Sequence, residues 1–418
     1  MGGGLLQLVA YGAQDVYLTG NPQITFFKAV YRRHTNFAIE AIQQTFNGSP
    51  SYGQRVTCTI ARNGDLIHRV YLVVDLSNAS ADNFCKFFGL RLINYVEIEI
   101  GGQRIDKHYS HWMYIWNELS LPKSKKNGYY DMVGAYGGTI NNSINKVLYV
   151  PLEFWFCRNV GLALPLIALQ YHEVKININF ETAEKCAGGV TVPSSPFGAS
   201  LWVDYIFLDT DERRRFAQLS HEYLIEQLQF TGQESVTASS IKPKLNFNHP
   251  CKELIWFCTP SGSGAKFNNN WMNYTIFDET VGASRELSLN HTTVETVENV
   301  LINSAVSLMN PVASAKLVLN GNDRFAERTG YYFNIIQPYQ HHDNIPINAG
   351  INVYSFALKP EEHQPSGTLN MSRIDTAVLN ISMNPSISNY SKYNLTVYAT
   401  NYNVLRIMSG MGGIAYSN

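Results

Sequence analysis

Charged residues are scarce in this chain of 418 residues. Only 16% of the residues are Asp, Glu, Lys or Arg, and 32 basic side chains against 33 acidic ones leave a net charge of −1. Nucleic-acid binding requires a basic surface, so we expect no direct nucleic-acid binding. A near-neutral surface does allow many identical copies to lie side by side without mutual repulsion.

Long hydrophobic runs and targeting signals are also missing. The longest apolar stretch, residues 161–169, contains Pro165 and has about half the length that spans a bilayer. The first residues lack the basic segment of a secretory signal, and Leu6 stands where the myristoylation pattern needs Ser or Thr. We therefore expect a chain that is made and kept in the cytosol.

Cysteine pairs and catalytic motifs are absent too. The six cysteines include no Cys-x-x-Cys pair, so we expect small buried apolar side chains and neither a zinc site nor a disulfide framework. There is no Gly-x-Ser-x-Gly elbow and no His-Glu-x-x-His motif. The sequence predicts no catalytic residue, no cofactor and no metal.

Three groups of residues could suggest a metal, phosphate or catalytic site, but their patterns do not support one. His108 with His111, and His341-His342-Asp343, are too few for a metal site, which needs three or four ligands on a rigid element. Gly101-Gly102 lacks the rest of a phosphate loop and predicts a β-turn. The carboxylate pairs Glu361-Glu362 and Glu97/Glu99 could suggest a glycosidase, but we expect Glu97 and Glu99 to lie on the solvated face of a strand.

The composition favours β structure. Aromatic residues make up 12% of the chain, and 30 Gly with 39 Asn fit short strands joined by turns. We predict fourteen strands in two sets of seven. The first set is residues 37–46, 56–61, 69–76, 95–100, 147–156, 174–180 and 201–208; the second is 223–230, 244–247, 254–258, 315–319, 351–358, 377–383 and 395–399.

A cluster of charges at residues 209–220 separates the two sets and predicts a short helix at a domain boundary. The two parts also show internal similarity. At an offset of 220, residues 96–105 align with 316–325 and pair Gly101 with Gly321; at an offset of 203, residues 175–180 align with 378–383. Because both pairs occur in the same order, they indicate a duplication.

Three long stretches interrupt the strands and predict surface loops: residues 117–145, 181–199 and 259–311. Two antiparallel β domains of roughly 200 residues with such loops suggest sandwiches of the jelly-roll type. Composition and loops leave open a β-sandwich protein that binds or cleaves carbohydrate.

Several segments resemble the major capsid proteins of nucleocytoplasmic large DNA viruses, especially the algal-virus (phycodnavirus and chlorovirus) branch. The strongest is LVAYGAQDVYLTGNPQITFFK at residues 8–28, continued by VYRRHTNF at 30–37. Further matching segments are RNGDL at 62–66, IGGQRIDKH at 100–108, GLALPLIALQYHEVK at 161–175, VDYIFLDT at 203–210, QPSG at 364–367 and YNVLRIMSGMGG at 402–413. The likeness covers both halves and is weakest in the three long loops.

The resemblance implies an all-β fold of two tandem antiparallel eight-stranded jelly-roll sandwiches, a double jelly roll with a short inter-domain helix and long surface loops. The expected division is an N-terminal arm at 1–36, a first jelly roll at 37–212, a linker with a short helix at 213–222 and a second jelly roll at 223–418. The implied function is structural: a homotrimeric pseudohexagonal capsomer that tiles the icosahedral shell of a large dsDNA virus.

The resemblance also implies partners and a place. The chain is expected to contact itself, neighbouring capsomers, minor capsid proteins and the internal viral membrane. It is expected to be a late protein, within a virion assembled in the host cytoplasm. It places the arm at the base of the capsomer, where the expected contact residues are Leu8, Tyr11, Phe26, Phe27, Arg32 and Arg33. Whether the chain is the main shell protein or a minor paralogue stays open.

Glycosylation is the remaining expectation. Nine Asn-x-Ser/Thr triplets occur, and Asn273 and Asn290, in the longest predicted loop, are the surface candidates. Asn380 lies within a predicted strand and is the least suitable.

Overall fold

The computed structural model describes residues 3–79, 82–140, 144–261, 269, 271–276, 310–385, 387 and 389–416. Residues 1–36, the arm, and residues 37–418, the body, form two separate compact units. None of the helices in these ranges is both long enough and apolar enough to cross a membrane.

The described part of the arm consists of two short helices joined by a turn and followed by chain without helix or strand. The helices are α1 (Gly3–Val9) and α2 (Val16–Thr19), and neither buries a side chain. Every arm residue from 3 to 36 is exposed except Asp15, which is half-buried.

The described body is built mainly from antiparallel strands. In chain order these are β1 (Phe37–Gln44), β2 (Arg55–Thr59), β3 (Leu66–Asp75), β4 (Asn83–Phe84), β5 (Ile93–Ile100), β6 (Gln103–Tyr109), β7 (Gly138–Thr139), β8 (Val147–Pro151), β9 (Leu164–Pro165), β10 (Val174–Phe180), β11 (Gly198–Leu208), β12 (His221–Ser235), β13 (Ser240–Ile241), β14 (Pro250–Pro260), β15 (Val312–Leu319), β16 (Asn322–Asp323), β17 (Arg328–Thr329), β18 (Asn352–Ser355), β19 (Leu369–Asn370), β20 (Ala377–Met383), β21 (Tyr393–Met408) and β22 (Met411–Ile414).

Short helices lie between the strands of the body. They are α3 (Phe88–Arg91), α4 (Ser110–Ser120), α5 (Lys123–Val133), α6 (Trp155–Arg158), α7 (Ala183–Cys186), α8 (Thr210–Gln218) and α9 (Gln337–His341). A π-helical turn, Tyr332–Ile336, runs directly into α9, and the two form the 330–341 helix. Four 3₁₀ turns complete the set: Val160–Leu162, Leu166–Ala168, Met371–Arg373 and Tyr390–Lys392.

Strand pairing divides the body into a first half, β1–β11, and a second half, β12–β22. The first half has sheets with the orders β1-β11-β3-β8 and β2-β10-β5-β6, and the second has β12-β21-β14-β18 and β13-β20-β15-β16. Numbered along the eight strands of these paths in each half, both halves have the orders 1-8-3-6 and 2-7-4-5. The two halves therefore share one topology.

The internal similarity seen in the sequence joins strands that occupy equivalent positions. Strands β10 and β20 are the seventh in each half, and the β5-β6 and β15-β16 hairpins join the fourth and fifth. Gly101-Gly102 and Asn320-Gly321 form the two-residue turns, all with positive φ, which is the geometry of a type I′ hairpin. The Gly101–Gly321 pairing is wrong by one residue, because Gly321 occupies the second turn position, that of Gly102.

The predicted helix at the junction is confirmed as α8. Asp209 caps it by accepting a hydrogen bond from the Thr210 backbone N–H, and Asp211 and Glu212 in the first turn suit the positive end of the helix dipole. Arg213 Nε lies 3.0 Å from Asp65 Oδ1 and ties the helix to the first half.

The predicted loop at 117–145 is wrong. It contains the end of α4 and all of α5, and Tyr129, Tyr130 and Val133 are buried in the core. These side chains belong to the larger apolar core, so the stretch folds into helices that bury them and does not form a surface loop.

Two large apolar clusters and one small one, around Leu66, Ala163 and Ile206, form the core of the described body. Of the two large clusters, one lies within the second half, while the larger one contains side chains from both halves. Strand β14 separates these two clusters: Leu254, Trp256 and Cys258 point into the second half, and Ile255 and Phe257 point into the shared cluster. Each half therefore has a sheet with an outer face. In the second half this face is covered by the first half, and in the first half it is open among the described residues.

Candidate assembly surfaces

The arm presents large apolar side chains to solvent. Leu8, Tyr11, Phe26 and Phe27 are between 58% and 97% exposed. Arg32 and Arg33 are exposed as well. Exposed rings in this number are costly in water, so such a segment is suited to contact another molecule.

The two halves meet through aromatic side chains. Tyr109, at the end of β6, lies with its ring centroid 5.0 Å from that of Phe230 and 6.2 Å from that of Tyr398. Trp112 in α4 is 5.9 Å from Tyr398, edge to face. The Leu228 backbone N–H also donates to Asp106 Oδ1 at 3.0 Å. The end of β6 and the start of α4 thus cover the outer face of the sheet β12-β21-β14-β18.

A buried ionic network joins the halves beside these rings. Glu226 in β12 lies 2.7 Å from Lys252 Nζ and 2.9 Å from Arg158 Nη1, and Lys252 also donates to the Pro360 carbonyl at 2.6 Å. Burial raises the pKa of Glu226, but the two cations and a hydrogen bond from His363 outweigh it and lower that pKa to about 2. Removing one partner would leave a buried charge without compensation.

The histidines considered as metal ligands have other partners. His342 lies between Glu253 (3.1 Å) and Glu361 (2.7 Å), His108 is 2.9 Å from Asp106, and His111 Nδ1 is 2.9 Å from the Tyr274 hydroxyl. Burial lowers the pKa of His111 to about 3. Within the described ranges, no group of three or more His, Cys, Asp or Glu is arranged to hold a metal ion.

The cysteines are free, and all except half-buried Cys157 are buried. Burial raises the pKa of Cys58 to about 11 and that of Cys85 and Cys258 to about 12, so these thiols are protonated and unreactive near neutral pH. The interpretation as buried apolar side chains is confirmed for five of the six.

The expected solvated pair of carboxylates is only partly solvated. Glu97 and Glu99 do share one face of β5, but the Glu97 side chain is buried beneath Arg55, which lies 2.5 Å from Glu97 and 3.5 Å from Glu99. The placement of Glu97 was wrong because a cation from β2 covers it. Glu361 is held by His342, whereas Glu362 pairs with Lys359 at the surface.

The prediction that Asn273 lies at the surface is wrong. It is 8% exposed, and its Oδ1 accepts hydrogen bonds from the Thr275 hydroxyl (2.6 Å) and backbone N–H (3.0 Å). Its neighbours Trp271, Met272 and Tyr274 belong to the shared core, which draws the polar residues inward with them. Asn290 lies outside the described residues.

One cavity opens between the halves, with a volume of about 830 Å³. Its lining includes Arg69, Tyr71 and Glu153 from the first half and His341 and Lys359 from the second. Burial raises the pKa of Glu153 and is opposed by nearby Arg158. Charged residues of both signs line the wall.

The sheet β1-β11-β3-β8 has an outer surface that the sequence analysis missed. Tyr71 and Val73 are half-buried there, while Val147, Tyr149 and Trp202 are 37–47% exposed. The register places Trp202 opposite Tyr71 and Tyr149 opposite Val73, so these five side chains form one patch, the aromatic face. The sequence of β3 does not alternate between polar and apolar residues here, because Val70, Leu72 and Val74 on the inner side are apolar as well. The outer side of the strand could therefore not be recognised from the sequence.

Two family models match this chain. The model of the large eukaryotic DNA virus major capsid protein matches residues 212–413, and that of the major capsid protein N-terminus matches residues 25–209. Together they cover both halves of the body.

Similar proteins include viral capsid proteins over their full length. The chain is 52% identical to the major capsid protein of Pyramimonas orientalis virus, 49% to that of Phaeocystis pouchetii virus and 46% to that of Paramecium bursaria Chlorella virus 1, with 100% of each chain covered. A quasi-atomic model of the PBCV-1 virus capsid is similar in structure, with a TM-score of 0.80 and 42% identity over 94% of this chain and 100% of that one. The chain therefore belongs to the major capsid proteins of the large eukaryotic DNA viruses and is a structural component of the virion capsid.

Proposed function

We propose that this chain is the subunit of a homotrimeric, pseudohexagonal capsomer that tiles the icosahedral shell of a large dsDNA virus. The observation that carries the proposal is the repeated strand order 1-8-3-6 and 2-7-4-5 in the two halves. Three chains with two equivalent sandwiches each offer six similar units, which is what a hexagonal outline requires. Family membership favours this structural role over a carbohydrate-binding or glycan-cleaving sandwich, and we propose no enzymatic activity.

Each half is proposed to be an eight-stranded jelly roll. The two paths of a half supply four strands each. The short strands β9, β17, β19 and β22 pair with strands of these paths, and β4 and β7 form a separate two-stranded sheet. We place the first roll at 37–212 and the second at 223–418, with the linker at 213–222 overlapping α8. The repeat supports a double jelly roll because both halves pair their strands alike.

The arm is proposed to bind at the capsomer base. Its exposed residues Leu8, Tyr11, Phe26 and Phe27 suit apolar contacts, and Arg32 and Arg33 suit acidic partners. Minor capsid proteins or the anionic lipid of an internal membrane offer such surfaces. Assembly is proposed to take place in the host cytoplasm late in infection.

The first test is the mass of the purified chain in solution, measured by light scattering after gel filtration. Three times 47.1 kDa is about 141 kDa, and a trimer of that mass that resists dilution and has a pseudohexagonal outline by electron microscopy is expected. A stable monomer of 47.1 kDa would contradict the proposal and direct attention to glycan binding.

A further inference from the structure

We infer that the aromatic face of one copy is covered by the 330–341 helix of a second copy. This inference rests on the proposed trimer and assigns its subunit interface to named residues. It follows from a contact that already exists inside the chain, between the first half and the second.

Inside the chain, the outer face of β12-β21-β14-β18 is closed by α4. Phe230, Tyr398 and Ile255 stand side by side in register across three strands of that sheet. The rings of Tyr109 and Trp112 pack on them, and His111 lies 5.5 Å from Phe257 in the next row. As a result, both faces of the central strand β14 are buried from Cys251 to Thr259.

Among the described residues, none covers the equivalent sheet of the first half in this way. In β1-β11-β3-β8 the residues Val70, Leu72 and Val74 are buried, whereas Tyr71 and Val73 on the other side of β3 remain half-buried. Trp202 on β11 and Tyr149 on β8 are exposed by 37% and 47%. One sheet of the pair is therefore closed on both sides and its counterpart on only one.

The 330–341 helix is the counterpart of α4. Each follows the fifth strand of its half and precedes the sixth. Tyr109 pairs with Tyr95, and Thr329 pairs with Ser314. Tyr95 and Ser314 each lie six residues before the first residue of their hairpin turn, Gly101 or Asn320.

Counting onward from Tyr109 and Thr329 matches further positions of the two helices. Met113 and Phe333 correspond and are both fully buried. His111, which packs on the neighbouring sheet, corresponds to Tyr331.

The side of the 330–341 helix that would make this contact is open. Tyr331 is 46% exposed and Tyr339 is 76% exposed, and Ile335 between them is half-buried. The buried residues of this helix are Gly330, Phe333, Asn334, Gln337 and Pro338, so these three lie on its less buried side. The chain thus carries both members of a second interface, an apolar helix side and an apolar sheet face.

A second copy of the chain can cover both surfaces, the apolar side of the helix and the aromatic face. The helix of one chain on the face of the next is a heterologous contact, and such contacts form a closed ring when the rotation between copies closes. In a trimer, three of these contacts between chains alternate with three α4 contacts within chains. All six sheets of this type would then be closed by a helix.

The first experiment compares the solution mass of the wild-type chain with that of Trp202→Glu and Tyr331→Glu. We expect the wild type at about 141 kDa, three times 47.1 kDa, and both variants to fall to 47.1 kDa, because a carboxylate would be buried in an apolar contact. Val190→Glu, at a position 94% exposed in the loop before β11, is the matched control and should remain a trimer. Circular dichroism should show the same β content in all four proteins.

The second experiment tests which surfaces meet. Trp202→Cys and Tyr331→Cys chains are treated with a short bismaleimide, separately and after co-expression. A product of two linked chains is expected only after co-expression, since the contact joins unlike surfaces; the wild type, whose cysteines are mostly buried, gives the background.

The outcomes separate the two proposals. A monomeric wild type overturns both. A trimeric wild type whose Trp202→Glu and Tyr331→Glu variants also stay trimeric overturns the interface alone, as does efficient linking of either cysteine variant by itself.

Discussion

At the scale of single residues, the hairpin glycines differ in what a side chain would meet. Gly101, Gly102 and Gly321 have φ angles of +58°, +82° and +81°. A Cβ on Gly102 or Gly321 has no atom within 4 Å, but one on Gly101 would lie 2.3 Å from His172 Nδ1. We expect Gly102→Ala and Gly321→Ala each to lower the free energy of unfolding by about 1 kcal/mol, the cost of the left-handed conformation.

Gly101→Ala should cost more, because the His172 ring must move and the hydrogen bond between its Nδ1 and the Gly412 backbone would break. Thermal unfolding of the three variants at one protein concentration checks the order. Equal melting temperatures for Gly101→Ala and Gly102→Ala would contradict the steric argument.

His342 is expected to make the protein less stable at alkaline pH. Burial lowers its pKa, but Glu253 and Glu361 outweigh that effect and raise the pKa from 6.5 to about 9. A raised pKa contributes stability that is complete below pH 6.5 and is lost as the pH rises through 9. We expect the free energy of unfolding to fall in this window by at most about 1.4 kcal/mol per pH unit for one proton.

The control for that window is His342→Gln, which is less stable at pH 6 and lacks the titrating group. Urea unfolding at half-unit steps from pH 6 to 9.5 measures both proteins. If the slope persists unchanged in His342→Gln, another group is responsible.

At the scale of elements, strands were predicted better than helices. The seventh strands β10 and β20 have the predicted bounds because their apolar residues alternate. Strand β6, QRIDKHY, was missed because its Asp106 and His108 are buried as a pair, which no hydrophobic pattern reports. Helix α4 was missed because aromatic residues surround it and almost all of its side chains are buried, which removes the helical periodicity.

The assembly surfaces could be predicted only in part from the sequence, because they too depend on contacts between residues far apart in the chain. Family resemblance selected the arm residues, and the structure adds that they are exposed. The aromatic face could not be found from the sequence, because it depends on pairing Trp202 with Tyr71, which lie far apart in the chain. Asn273 was misplaced because the apolar neighbours that bury it contact α4, a long-range effect.

Removing the arm is expected to affect assembly but not folding. Residues 1–36 form a unit of their own, and their described side chains contribute nothing to the buried core. We expect a chain lacking residues 1–36 to keep the trimer mass and the melting temperature of the full chain but to fail in forming particles. Co-expression with the other capsid components, followed by electron microscopy, provides the measurement.

A Phe26→Ser/Phe27→Ser variant refines that test, since it keeps the arm and removes its two most exposed rings. It should impair assembly in the same direction. Normal particles from the truncated chain would show that the arm is dispensable.

At the scale of the whole molecule, the shared core decides how the body unfolds. Phe257 is fully buried on β14 of the second half, yet its ring lies 5.5 Å from His111 of the first half and 4.5 Å from Tyr274. Truncating a buried Phe to Ala costs about 3–5 kcal/mol. Because this cost falls on contacts between the halves, we expect Phe257→Ala to lower the stability of both halves together.

Calorimetry should then show one transition for the wild type and one, at a lower temperature, for Phe257→Ala. Hydrogen exchange should rise in β3 and β11 of the first half as much as in β14 and β21. Val190→Ala, at an exposed position, is the control that leaves both unchanged. Two separate transitions, with only the second half affected, would mean that the halves fold independently.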